Sequence, residues 1–152
     1  MSQHTASIRW QREGAFARKQ YQRAHRWVFD GGVEVPAAAS PLVVPRPWTV
    51  DEAVDPEEAF VAAIASCHML TFLFLAANAG YVAEAYVDDA AGLLAKDAEG
   101  GQAMTEVTLR PRITWAEGRA PSAEALAALH EQAHRECFIS RSVKSRVRVA
   151  TP

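Results

Sequence analysis

Two thiols, Cys67 and Cys137, are the side chains of this chain best suited to chemistry. A thiolate is a nucleophile and a soft metal ligand, and two thiols that meet exchange electrons through a disulfide. The residue types and their spacing leave three readings open. In the first, both cysteines are small core residues, since free cysteine is commonly buried. In the second, His130, His134 and Cys137 stand at i, i+4 and i+7 on one helical face, and Cys67 or His68 completes a tetrahedral metal site. In the third, Cys67 attacks an oxidant and Cys137 resolves the product as a disulfide.

The element that must position Cys67 runs from Asp55 to Gly80. Asp55 suits an N-cap, Pro56 the first helical position, and Glu57 and Glu58 the positive end of the dipole. Glu58 also stands at capping-box spacing from Asp55, and Gly80 is a natural left-handed stop. The spacing predicts one helix, roughly 36 Å long. Between Ala59 and Ala77 it contains no Asp, Glu, Lys or Arg, the pattern of a membrane span or of a buried central helix. Its alanines, together with Ser66, His68 and Thr71 and the acids ahead of it, favour the buried helix. Cys67 lies twelve residues in, far from the N-terminal dipole, and an apolar setting raises a thiol's pKa. A nucleophilic Cys67 therefore needs help from another element.

Around this helix the alternation of apolar and polar residues predicts strands. These are Ser7–Trp10, a run from Gln20 to Phe29, a hairpin at Asp30-Gly31-Gly32 leading into Val33 and Val35, and Tyr81–Lys96. Two more follow, Glu106–Trp115 with Pro111 marking an edge or a bulge, and Val143–Val149 with a basic outer face. Five prolines from Pro36 to Pro56 punctuate a connection that is neither helix nor central strand. Pro121 and Ser122 open a second helix reaching about Glu136, whose Leu126, Leu129, His130, Ala133, His134 and Cys137 share one stripe. The expected architecture is α+β, a single domain over residues 1–152 with one sheet packed on the central helix. Composition agrees with one domain: 152 residues allow one core, and a net charge of −2 with a pI near 6.2 offers nothing to nucleic acid or an anionic membrane. With no basic-then-apolar N-terminal signal and only two cysteines, a reducing, cytoplasmic setting is expected.

The segment Asp55-Pro56-Glu57-Glu58 through Ala65-Ser66-Cys67, followed by Ala133-His134-Arg135-Glu136-Cys137-Phe138-Ile139-Ser140, resembles the OsmC/Ohr family of organic-hydroperoxide resistance proteins. The Pro-Glu pair ahead of the first cysteine and the Cys-x-x-Ser around the second carry the resemblance, which extends from Trp10 to Val149. It implies an OsmC-like fold, an antiparallel-rich sheet wrapped on a long central helix, in an intertwined homodimer with sites at the subunit interface. It implies a two-cysteine peroxidase for organic hydroperoxides, with Cys67 as nucleophile, Cys137 as resolver and a lipoyl-type dithiol as reductant. It implies no organic cofactor and no metal. It also implies an arginine held over the thiolate by Glu57. Arg18 is the best match by position, with Arg23 and Arg26 close behind. An arginine stays charged when buried and donates to peroxide oxygens. The chain departs from the family pattern at His68, where an aromatic residue is common, and at Phe138, where proline often follows the resolving cysteine. A non-catalytic, ligand-binding OsmC-like dimer is the alternative. Phe60, Leu70, Phe74 and Phe138 are candidates for a pocket for an apolar peroxide tail, or are simply core.

Overall fold

The computed structural model describes residues 1–150. The chain divides into two compact units, Met1–Ala59 and the stretch from Phe60 onward. In the first unit, β1 (Ala6–Arg9), β2 (Gly14–Ala15), β3 (Gln20–Tyr21), β4 (His25–Phe29) and β5 (Glu34–Ala37) form two antiparallel sheets. One has the order β1-β4-β5 and the other pairs β2 with β3. The run expected as one strand from Gln20 to Phe29 is therefore two. At the break the Gln22 N–H turns to Glu13 O and the Arg23 N–H to Trp48 O, both at 3.1 Å, so neither serves a ladder. The hairpin at Asp30–Gly32 forms as expected, closed by Phe29 N–H on Val33 O at 3.0 Å with Gly32 at φ +81°. The proline-rich connection adds no regular element, and Val54 returns to bridge Ala37 beside β5.

The boundary between the units falls in the first turn of α1 (Pro56–Asn78). Its N-terminus is a reciprocal capping box: Asp55 Oδ1 accepts the Glu58 N–H at 2.7 Å, and Glu58 Oε2 accepts the Asp55 N–H at 3.0 Å. Asp55→Ala should therefore cost about 1 kcal/mol of stability in urea denaturation, and Asp55→Asn should keep most of it. At the other end Gly80 takes φ +83°, and the Tyr81 N–H closes on Ala76 O at 3.0 Å. The helix is long and apolar enough to cross a membrane. Its Ile64, His68, Phe72 and Ala76, four residues apart along one face, are nonetheless buried in protein.

The second unit continues with β6 (Ala83–Asp88), β7 (Ala91–Lys96), β8 (Gln102–Leu109), β9 (Pro111–Trp115), α2 (Ala123–Glu136) and β10 (Arg146–Val149). The one sheet expected here is two, β10-β8-β7 and β6-β9. Both long runs read as single strands, Tyr81–Lys96 and Glu106–Trp115, change sheet at the same corner. Pro111 has no N–H for a ladder, and the Arg110 N–H instead donates to Asp88 Oδ1 at 2.6 Å. Arg112 pairs with Asp89 at 2.7 Å across the bend. A hairpin of two long arms is thus folded over at Asp88–Ala90 and Arg110, where the sequence signalled only a bulge.

The fold in the hairpin gives α1 two cores. Its first half packs Ile64 on Val107, Leu109 and Val147 of one sheet. Its second half packs Phe72 and Ala76 on Leu129 and Ala133 of α2, with Tyr86, Ile113 and Trp115 of the other sheet around them. Close approach of α1 to β7 depends on Gly92. A Cβ there would collide with Met104 Cε and lie 2.6 Å from Val61 Cγ2. Gly92→Val should therefore destabilise by about 1–3 kcal/mol, the range for overpacking, read as a lowered denaturation midpoint.

Candidate active site

Cys67 and Cys137 are brought together, although they sit on different helices. Both are free thiols, Cys67 partly exposed and Cys137 fully buried. The contact arises because Cys137 is the residue at which α2 stops. It leaves the helix in an extended conformation, φ −63° and ψ +116°, while its N–H still closes on Ala133 O. Ser122 starts the same helix by accepting the Ala125 N–H at 3.2 Å, so α2 is capped at both ends and presents Cys137 in a fixed place.

Around Cys67 the electrostatics are mixed. Burial pushes its thiol pKa up, and the Cys137 thiol hydrogen-bonded to it pushes in the same direction. The backbone N–H groups of Ile139 and Phe138 pull it down. The Ser140 N–H lies 3.4 Å from Cys137 Sγ.

The histidines form a second feature, one that side-chain spacing alone did not reveal. His68 is fully buried, His130 is 7 % exposed, and His68 Nε2 lies 3.1 Å from His130 Nδ1. The ring planes are within 9° and the centroids 5.4 Å apart. The rings therefore meet head to head along the N···N line and share one proton in a hydrogen bond. Each nitrogen is aimed at the other rather than at a shared point to one side, which is the geometry of a hydrogen bond and not of two ligands on one tetrahedral ion. Burial lowers the pKa of both rings to about 4, with His130 and His134 adding to the effect on His68. The pair is accordingly neutral.

Residues 130–134 read His-Glu-Gln-Ala-His, the His-Glu-x-x-His spacing of a helical zinc motif. It is a sharper sequence signal for metal than the i, i+4, i+7 spacing of His130, His134 and Cys137. The structure spends those residues otherwise, His130 on His68 and Glu131 on Arg135 at 2.6 Å. Among the described residues no group of three or more His, Cys, Asp or Glu is placed to hold a metal ion.

The remaining expected site residues lie in the first unit. Arg18 sits on an exposed 3₁₀ turn (Phe16–Arg18) just before Lys19, which adopts a left-handed φ of +61°. Arg26 is exposed and faces Glu34 at 3.7 Å. Arg23 is the most constrained of the three: its guanidinium lies 3.7 Å over the Tyr21 ring and donates to Lys19 O at 3.2 Å and to Tyr21 O. It lines a cavity of about 370 Å³ with Trp10, Phe16, Tyr21, His25 and Pro56. Glu57, next to Pro56, is partly buried and makes no ion pair among the described residues. Of the apolar candidates, Phe60 packs on the Ile64 core. Leu70, Phe74 and Phe138 are 61 %, 64 % and 79 % exposed and are not core in this chain.

Solved structures with the same fold cover almost the whole chain. An OsmC-like protein of unknown function from Vibrio cholerae is 47 % identical, with a TM-score of 0.96 over 99 % of both chains. An organic hydroperoxide resistance protein from Elizabethkingia anophelis is 19 % identical, with a TM-score of 0.68 over 97 % of this chain and 94 % of its own. The organic hydroperoxide resistance protein OhrB of Bacillus subtilis is 22 % identical, with a TM-score of 0.64 over 95 % and 94 %. At those lower identities the likeness is one of fold. No curated protein matches the chain. The family model described as OsmC-like protein matches residues 49–151, which include α1, α2 and both cysteines. By that match, and by a near-identical fold in a relative almost half identical in sequence, this chain belongs to the OsmC-like family.

Proposed function

We propose that this protein is a thiol peroxidase that reduces organic hydroperoxides. The observation that carries the reading is the contact between a partly exposed Cys67 and a buried Cys137. A nucleophilic thiol must meet its substrate, while a resolving thiol is best kept from bulk oxidant. The Cys67 thiolate attacks the outer oxygen of RO–OH. The O–O bond breaks, the sulfur becomes Cys67–SOH, and the leaving alkoxide takes up a proton to give ROH. The Cys137 thiolate then attacks the Cys67 sulfenate sulfur, expelling hydroxide that leaves as water and forming the Cys67–Cys137 disulfide. A dithiol reductant of lipoyl type, itself oxidised to a cyclic disulfide, returns both thiols.

Glu57 and one arginine complete the site in this proposal. Arg23 suits the role better than Arg18, since its guanidinium is already held in an apolar, aromatic-lined cavity rather than on an exposed turn. The working form is a homodimer in the cytoplasm. The exposed apolar stripe of α1, with Ala63, Leu70, Phe74 and Ala77 at helical spacing, supports self-association. The test is chemical. One equivalent of cumene hydroperoxide added to the reduced protein should consume two thiols and give a Cys67–Cys137 disulfide in the peptide map. Retention of both thiols would refute the peroxidase and favour the ligand-binding alternative, for which the 370 Å³ cavity is the supporting observation.

A further inference from the structure

We propose that Arg9 and Arg26 form a binding site, built from the first unit alone, for a small organic molecule that carries a carboxylate or a phosphate group. Neither residue has a part in the proposed peroxidase.

The site starts from strand register. Arg9 on β1 stands directly opposite Arg26 on β4, and Arg26 stands opposite Pro36 on β5. Directly opposed residues of an antiparallel pair put their side chains on the same face, with Cβ atoms about 5 Å apart. Two guanidinium groups therefore leave the sheet side by side, and like charges so placed destabilise the pairing. The row holds no acid to offset them, since its third member is proline. Glu34, one diagonal step away, comes within 3.7 Å of Arg26, which is too long for a hydrogen bond. Among the described residues Arg9 makes no ion pair at all.

The same two arginines line a cavity of about 520 Å³ with Trp10, Gln11, Glu13 and His25, a size within the range of small-molecule sites. Trp10 and His25 engage their polar atoms inside the protein. The Trp10 indole N–H donates to Gln22 O at 2.9 Å, the Trp27 indole N–H donates to His25 Nε2 at 2.9 Å, and His25 Nδ1 lies 2.7 Å from Arg23 O. An indole only donates, so His25 Nε2 accepts and its Nδ1 carries the proton. The charged side chains left to a ligand are Arg9, Arg26 and Glu13.

Guanidinium forks match the paired oxygens of a carboxylate or a phosphate. An oxyanion between the two arginines replaces their mutual repulsion with attraction on both sides. Glu13 forms no ion pair with either of them among the described residues. As an acceptor it suits a hydrogen-bond donor elsewhere on the ligand. The class of ligand is thus a small molecule with an oxyanion at one end and an amine or hydroxyl at the other.

β-Alanine and phosphoethanolamine share that pattern and differ in the oxyanion, so calorimetric titration with each at low salt separates carboxylate from phosphate. At least one should bind saturably at millimolar concentration. Arg9→Gln and Arg26→Gln should each weaken that binding by about tenfold, the scale of a lost charge-assisted contact. Arg12→Gln removes the same charge from a residue outside the cavity lining and should leave the affinity unchanged. In ligand-free buffer Arg9→Gln should withstand urea at least as well as the unaltered protein, because the like-charge contact is gone. Lower stability, or failure to fold, would show that the pair serves the sheet and would overturn the proposal. Probes that do not bind, or that bind the Arg9 and Arg26 variants as tightly as the unaltered protein, would overturn it as well. An equal loss in Arg12→Gln would reveal general charge attraction and no site.

Discussion

Cys67→Ser is expected to abolish hydroperoxide consumption, lowering the rate by about a thousandfold or more, the scale on which loss of a nucleophile is felt. A serine hydroxyl at the same place is not ionised near neutral pH and cannot displace an alkoxide from a peroxide. Cys137→Ser should behave differently. Cys67 would still attack once, releasing one equivalent of alcohol per chain, and would then stop as a sulfenic acid. With Cys137 gone, excess peroxide should carry that sulfenate on to the sulfinic and sulfonic acids, a mass gain of oxygen confined to the Cys67 peptide. The asymmetry follows from exposure, since Cys67 is partly open and Cys137 is fully buried. Equal loss of the first turnover in both variants would contradict the assignment of nucleophile and resolver.

The second large effect is on stability in acid. His68 is buried and neutral, with its pKa lowered from 6.5 to about 4 by burial first and by His130 and His134 after it. The unfolded chain therefore binds a proton near pH 6.5 that the folded chain refuses until about pH 4. The stability associated with the neutral ring is fully present above pH 6.5 and is lost as the pH falls through that window. From pH 7 to pH 5 His68 alone should account for a loss of about 2 kcal/mol. His130, lowered in the same direction by burial, adds to it. Urea denaturation at pH 7, 6 and 5 should show this slope in the unaltered protein and a much shallower one in His68→Phe/His130→Leu. The pH window lies above most carboxylate titrations, and the other histidines are common to both proteins. Equal slopes would show that the pair does not stay neutral in the folded state.

The His68–His130 pair also explains how metal chemistry was both suggested and displaced. The i, i+4 spacing of His130 and His134 on α2 is a property of sequence, and so is the Glu between them. Whether such nitrogens point at an ion or at another ring depends on what α1 places opposite. It places His68, sixty-two residues away, with its Nε2 aimed at His130 Nδ1. Among the described residues, neither His68 Nδ1 nor His134 Nδ1 has a hydrogen-bond partner, although both atoms are buried.

By itself the sequence determined what depends on neighbours along the chain. The Asp55–Glu58 box, the Gly80 stop, the Ser122 cap and the Asp30–Gly32 hairpin all formed as their residues require. Each is a matter of φ preference or of a side chain reaching three residues along. The α+β class and the family were legible for the same reason, as local patterns around two cysteines. The tertiary structure decided the rest. Strands that read as continuous were folded over at Asp88 and Arg110, because a proline and one carboxylate–amide bond redirected the ladder. Leu70 and Phe74, which read as pocket lining or as core, stayed at the surface because a helix apolar on every side does not say which face its partners will cover. The meeting of Cys67 with Cys137 depends on where α2 ends against α1. No residue of α1 states which helix end will meet Cys67, because that contact joins positions seventy residues apart.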